Sequence, residues 1–446
     1  MRALFDKFHA RLGDFWWYSL MIFLAARFAD GVNVFVGLWL VPKYVAPSEL
    51  GAVQPLASFA SFLATPIAVF ASTFRQELSN LATSGQFGKV KTLLRSVFIA
   101  VAVFVFLAIV LCRFALPAFL TRIRIVEGSL GLIIVAYAFV NAIAPIFSNA
   151  LQSLKKFRAT TAINLLGAPI RFLTMLATMP LRALSGYFVG QTSTPAFSIL
   201  TSVVALRKEL SVPAEPYWTR PAVRRFARLF LIFGVGAAAG GVATLVESTV
   251  IRQRLPEVES AAYYMVTRFS DIASFVTMTL LFTVFPFTAE LAAKGKDTRP
   301  LMLKVAAIIA GASGLLALFF GVFGTPLLRL LPYAEQYAAY GWAIPWAIAV
   351  LTLSALASLY GNVEVSANRF GFLWWSVPLH LLYPVLLLGV TGNGYFIDLL
   401  PPPLAAAVQA VNVASLKGML WWMTAFQAVR VICSVIDCHI RDCQIV

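Results

Sequence analysis

Charge is scarce in this chain. Asp, Glu, Lys and Arg make up 12% of its 446 residues, against about 25% in a soluble domain. Acid is scarcer still: 19 Asp and Glu stand against 35 Lys and Arg, and there are only 3 His. That composition excludes a soluble globular enzyme and a disordered chain. No polar stretch is long enough to form an extramembrane domain that would hold a nucleotide site, a metal cluster or a glycosyltransferase fold. There is no G-x-x-x-x-G-K-[ST], which argues against ATP-driven transport by this chain alone. The 4 Cys include Cys433, Cys438 and Cys443 near the end, with His439 between them. Their spacing matches no standard zinc site, so a reduced tail or a lipidation site is expected, with no metal and no cofactor. The first 16 residues are basic and lack an apolar core followed by a small-residue cleavage site, so the first helix is expected to act as an uncleaved signal anchor.

What the chain has instead is apolar length. Hydrophobic residues make up 60% of it and the mean hydropathy is +0.84. The apolar runs are about 20–27 residues long, enough to cross a bilayer as helices and too long for barrel strands. The expected spans are 17–41, 50–74, 93–117, 129–152, 160–181, 184–206, 228–251, 262–291, 303–327, 338–361, 371–391 and 404–429. Of the 35 Lys and Arg, 23 fall on the N-terminus, the even-numbered loops and the tail, and 8 on the odd-numbered loops. The positive-inside rule then puts both termini in the cytoplasm. The net charge of +16 is therefore read as cytoplasmic loops beside anionic lipid, not as a nucleic-acid surface.

The halves repeat. Phe147-Ser-Asn149-Ala-Leu-Gln-Ser153-Leu-Lys-Lys156-Phe157 aligns with Tyr360-Gly-Asn362-Val-Glu-Val-Ser366-Ala-Asn-Arg369-Phe370, and Ile22-Phe23, Gly31-Val32 and Glu49 align with Ile232-Phe233, Gly241-Val242 and Glu259. The expected architecture is an all-α polytopic membrane protein with two pseudo-symmetric lobes of six helices. The lobes are 1–206 and 229–430, joined by a basic linker at 207–228 and followed by a tail at 431–446. Paired lobes of this kind belong to transporters, with a substrate site between lobes that rock.

An ionised side chain at mid-bilayer costs at least about 2.5–3.5 kcal/mol, so each needs a partner or a wet cavity. Arg27 and Asp30 are spaced i,i+3 on one helical face, and Arg268 and Asp271 repeat that spacing with Tyr264 one turn earlier. Glu247, Arg171 and Lys417 also fall inside expected spans. They form a cationic cavity with pairing or proton-carrying acids, or they lock helix packing. Asn141, Pro145, Asn149 and Gln152 share a face that must look inward, as a substrate surface or as helix–helix glue. Gly236-Ala-Ala-Ala-Gly-Gly241 offers close packing or a pivot, and His380 is expected to pack near Tyr383.

Four motifs, in order, carry a resemblance. Leu40-Val-Pro42-Lys43-Tyr-Val-Ala-Pro-Ser-Glu49-Leu-Gly51 resembles the L-x-P-(R/K)-x-L-G-x-x-E-(Y/F)-G turn of polysaccharide flippases. Leu151-Gln-Ser-Leu-Lys-Lys-Phe157-Arg158 is similar to their loop after the fourth helix. Tyr263-Tyr-Met-Val-Thr-Arg268 and Leu281-Phe-Thr-Val-Phe-Pro286 are similar to their eighth helix. The family is the polysaccharide-transporter branch of the multidrug/oligosaccharidyl-lipid/polysaccharide (MOP) exporter superfamily. The resemblance implies a MATE-like pair of lobes with helices 1, 2, 7 and 8 lining a cavity. It also implies translocation of a polyprenyl-diphosphate-linked glycan across the bacterial inner membrane, beside glycan polymerase and chain-length proteins.

In that frame Arg27, Arg171, Arg268, Lys417 and Asn149 are the expected substrate-binding residues. Asp30, Glu247 and Asp271 are the expected ion-coupling or charge-pairing acids, and no catalytic group is expected. A cation-coupled drug antiporter is the alternative within the superfamily, although four deep bases against three acids do not favour it. A membrane-embedded polymerase or ligase would need a large outer loop with His, and a degenerate transporter would need no site.

Overall fold

Long apolar runs fold as helices because a bilayer leaves no other partner for backbone N–H and C=O groups. The computed structural model describes residues 21, 23–125, 128–154, 156–331, 333–366, 369–390 and 415–442. The N-terminal basic segment, the proline-rich stretch 391–403 and Cys443 lie outside the described residues. In order, the long helices are α1 Phe23–Tyr44, α2 Val53–Thr83, α3 Phe87–Arg122, α4 Gly128–Ser153, α5 Phe157–Thr178 and α6 Ala183–Ser211. There follow α7 Arg220–Arg254, α8 Glu257–Ala293, α9 Arg299–Leu330, α10 Ala343–Ser366, α11 Leu373–Val390 and α12 Leu416–Asp442. Among the described residues, 9 helices are long and apolar enough to cross a membrane, and Leu373–Gly389 is a shorter apolar helix. The chain is a multi-pass membrane protein. The matched serines of the internal repeat, Ser153 and Ser366, each end their helix.

Several helices overrun the apolar run that marked them. α3 has 36 residues and α7 has 35, about 54 Å at 1.5 Å per residue, against a hydrocarbon core of about 30 Å. Lys and Arg are good helix formers, so basic flanks continue the helix beyond the lipid. α12 departs the other way. It begins at Leu416 because Ser415 Oγ accepts the Gly418 N–H at 3.2 Å and Glu259 accepts the Leu416 N–H at 2.6 Å, an N-cap that the apolar run hides. The helix continues to Asp442, so Cys433, Cys438 and His439 are helical.

The chain forms two compact units. One holds residues up to Val36 together with Phe59–Ala238, and the other holds Gly37–Ser58 together with residues from Ala239 onward. In the first unit α6 packs on α4 and α5; in the second α10 packs on α8, α9 and α12. The α8–α9–α10 core comprises Leu281, Val284, Val305, Ile309, Ala355, Leu359 and Val363. The unit boundaries fall inside helices. In α1 the boundary meets a π-helical segment, Val36–Leu40, a form that appears mostly as single-turn bulges at functional positions. In α7 it lies within the small-residue run Gly236–Gly241.

The irregular joint between α6 and α7 is shorter than the expected linker, because Arg207, Lys208, Arg224 and Arg228 are helical and only 212–219 is not. It is strapped along α3. Glu215 N–H donates to Gly88 O at 3.1 Å, Lys91 Nζ to Val212 O at 2.8 Å, and Thr92 Oγ1 to Glu215 O at 2.5 Å. Trp218 Nε1 donates to Ser96 Oγ at 2.8 Å, with its ring edge-on to Phe226. Trp218→Ala removes the ring and one hydrogen bond. The expected result is several-fold faster tryptic cleavage at Arg207 and Lys208 with an unchanged helical circular-dichroism signal. Equal cleavage rates would show that the bonds with Gly88, Lys91 and Thr92 hold the strap without the Trp218 ring.

Candidate functional site

In the first unit the charged cluster is built on α1, α5 and α6. Helical spacing brings Arg27 Nη1 to 3.0 Å from Asp30 Oδ2, and the Arg27 guanidinium lies 5.6 Å from the Phe23 ring centre. Arg171 reaches α1 through Nη2, which donates to Ala29 O at 3.3 Å, and α6 through Nη1, which donates to Gln191 Oε1 at 3.4 Å. Gln191 Nε2 in turn donates to Tyr187 Oη at 2.9 Å. Asp30 thus sits in the field of two guanidiniums. The Arg171 Nε–H is buried and has no acceptor among the described residues.

In the second unit Arg268 Nη1 is 3.0 Å from Asp271 Oδ2, and the guanidinium lies 5.1 Å from the Tyr264 ring centre. The Arg268 stem crosses α1 at Gly37, where a Cβ would stand 2.7 Å from Arg268 Cδ. Gly37 therefore leaves the room that this arginine occupies. Both paired arginines are more covered than their acids, with side-chain exposures of 25% against 41% for Arg27–Asp30 and 17% against 30% for Arg268–Asp271. The carboxylates therefore hold guanidiniums that are themselves the better-buried partners.

Glu247 on α7 is paired differently. It accepts a hydrogen bond from Tyr383 Oη of α11, and among the described residues no cation pairs with it. Tyr383 stacks on Phe426 of α12 at 3.9 Å between ring centres and on Trp422 at 6.5 Å. His380, one turn away, places its ring edge-on to Phe426 and bonds through Nδ1 to Ser376 O at 2.7 Å. The result is a carboxyl group at the end of an aromatic wall.

One expected site residue stands elsewhere, and Asn149 bonds a neighbouring helix. Lys417 was expected near the middle of the last span. It lies instead in the first turn of α12 and is exposed, because the Ser415 cap starts the helix there. Asn149 donates from Nδ2 to Ala71 O of α2 at 3.3 Å, and Asn141 donates to its own helix at Tyr137 O. Between them Pro145 is exposed. Sequence spacing found both Arg–Asp pairs. It missed Gln191, Tyr187, Gly37 and the bond from Tyr383 to Glu247, and the only signal was Gln191 and its Ser/Thr neighbours in an otherwise apolar α6.

No family model matches the sequence, and no curated protein matches it. Solved structures do. An inward-facing multidrug resistance MATE family transporter of the MOP superfamily superposes with a TM-score of 0.65 at 12% identity, over 91% of this chain and 93% of that one. The fold is that of the MATE transporters and of MurJ. The lipid II flippase MurJ, in an inward closed conformation, gives a TM-score of 0.64 at 12% identity over 94% of this chain and 87% of that one. A MATE transporter of Vibrio cholerae gives 0.59 at 13% identity, over 94% and 97%. The twelve-helix, two-lobe architecture expected from the sequence agrees with these folds.

Proposed function

We propose that the chain is a flippase of the polysaccharide-transporter branch, moving a polyprenyl-diphosphate-linked oligosaccharide across the bacterial inner membrane with both termini in the cytoplasm. The supporting observation is the α1–α5–α6 cluster, where Arg27 and Arg171 gather around the carboxylate of Asp30 and the buried Arg171 Nε–H has no acceptor among the described residues. A diphosphate is multiply negative, and guanidinium is the side chain that meets its oxygens bidentately. The fold likeness to a solved lipid II flippase is compatible with such a substrate. The lobes are the six-helix halves, and a glycan polymerase with its chain-length protein takes the product. In a strain lacking the gene, lipid-linked intermediates accumulate on the cytoplasmic face and a surface polymer is lost. Unchanged intermediates in a strain with no redundant transporter would overturn the reading.

One observation favours a second reading, a cation-coupled small-molecule antiporter. Glu247 is an acid inside α7 that is bonded by Tyr383 Oη and has no cation beside it among the described residues. Glu247→Gln separates the roles. If Glu247 carries the driving ion, the variant loses gradient-driven transport by about 10-fold or more and keeps substrate binding. If Glu247 only anchors Tyr383, amide and acid perform alike.

A further inference from the structure

The expected last span, 404–429, leaves Arg430 outside the bilayer. The structure takes it in. The Ser415 cap starts α12 at Leu416, and the helix runs on to Asp442. Between Lys417 and Asp437 lie 19 residues, 418–436, about 29 Å at 1.5 Å per residue against a hydrocarbon core of about 30 Å. Arg430 is the one charged residue in that stretch. A cation there needs a partner or water, and neither transport reading uses this one.

Arg430 points away from the nearer end of the stretch. Side chains on a helix lean toward its N-terminus, and Arg430 Nη1 donates to Gln427 Oε1 at 2.7 Å. Gln427 is the midpoint of 418–436. The guanidinium carbon lies 6.0 Å from the Phe426 ring centre, one turn earlier than Arg430. An arginine with only lipid beside it would reach for the nearer interface instead. Asp437, two turns on, is engaged elsewhere: it accepts Tyr360 Oη at 2.6 Å and Trp375 Nε1 at 3.2 Å. On α11 the neighbour is His380, whose ring feels the Arg430 charge. Its Nδ1 donates to Ser376 O at 2.7 Å, which fixes the tautomer and supplies no negative charge. Gly240 of α7 stands against the same ring, where an added Cβ would lie 3.9 Å from His380 Cδ2, and brings no charge either.

Among the described residues no carboxylate pairs with Arg430, and its buried Nε–H has no acceptor. Nη2 makes no hydrogen bond to them. With Nη1 held by Gln427, the unused part of the guanidinium is the Nε–Nη2 edge. That edge is a planar fork which meets two oxygens of one oxyanion side by side, and a halide cannot use it so. The oxyanion that a bilayer and its surroundings supply is phosphate.

We infer that Arg430 anchors a phosphate-binding site within the second unit, the Nε–Nη2 edge taking two oxygens of a phosphate or phosphate ester while Gln427 and Phe426 hold the guanidinium in place. The group is inorganic phosphate or the headgroup of an anionic lipid. The site is built from α11 and α12 and stands whatever the transported substrate is.

The test uses the full chain purified in a neutral maltoside detergent. Inorganic phosphate is titrated at fixed ionic strength and read by melting temperature. Retention of phosphatidylglycerol against phosphatidylcholine is read by native mass spectrometry. A phosphate-dependent rise in the wild-type melting temperature supports the site with inorganic phosphate as its ligand. Selective retention of phosphatidylglycerol supports it with a lipid headgroup instead. Arg430→Gln is expected to weaken whichever ligand binds by about 10-fold or more. Without ligand it is expected to melt no lower than wild type, since it removes a charge inside the span that no acid among the described residues offsets. Arg430→Lys keeps the charge without the fork and is expected to lose about 5-fold. Binding of neither ligand by wild type, or equal binding by wild type and both variants, overturns the inference. An Arg430→Gln variant that melts lower or fails to fold, beside an Arg430→Lys variant with full binding, also overturns it and leaves Arg430 as packing on Gln427 and Phe426.

Discussion

Replacing Arg268 with Ala is expected to reduce transport by about 10–100-fold, the loss of a charge-assisted hydrogen bond worth about 1.5–3 kcal/mol. The guanidinium is held by Asp271 and by the Tyr264 face, and its stem fills the space beside Gly37. Alanine keeps none of these and takes the guanidinium away from a carboxylate that is only partly exposed. Arg268→Lys keeps the charge but not the planar fork, so it is expected to recover part of the activity. The measurement is flipping of a fluorescent polyprenyl-diphosphate glycan in vesicles, with insertion checked by the helical circular-dichroism signal. A fully active Arg268→Ala would remove this side chain from the substrate path. A variant that fails to insert would leave the lysine comparison to decide between a transport role and a structural one.

The second large effect is on stability. At Gly51 an added Cβ would stand 2.3 Å from Ser260 Oγ and 3.2 Å from the Ser260 backbone carbon. The turn Pro47–Leu50 before it is held by the buried Arg252, which donates to Ser48 O. Two backbones therefore meet where neither can move freely. Gly51→Ala is expected to cost about 1–3 kcal/mol by overpacking, and Gly51→Val more. The observable is a lower melting temperature in detergent. Ser260→Gly placed on Gly51→Ala is expected to restore most of it, because the clash is with that side chain first. A Gly51→Ala variant that melts like wild type would show that the turn before α2 and α8 can part at this point without loss.

The same two positions show what reading a sequence can and cannot reach. Gly51 ends the motif quoted from the first helix turn, so its importance was visible. Its reason was not, because Ser260 is distant in sequence. Arg268 and Asp271 were legible as a pair because i,i+3 spacing alone brings them together. Arg252 lies just past the expected span 228–251 and is buried in the last turn of α7. Lys417 was placed deep because an apolar run continues on both sides of it, and a single serine cap moved it to a helix end.

Composition and run length by themselves determined a helical membrane protein, the order of twelve helices, and the contacts made within one helix, including Arg27–Asp30 and Arg268–Asp271. Those follow from a fixed rise and a fixed 3.6-residue turn, which operate locally. The tertiary structure decided everything that depends on how a helix is rotated against its neighbours. It gave Arg171 the Ala29 carbonyl and Gln191, gave Glu247 the Tyr383 hydroxyl, and cleared the space at Gly37 for Arg268. Without a hydrophobic force between helices in lipid, side-chain fit and hydrogen bonds set that rotation, and no spacing along one chain segment contains them.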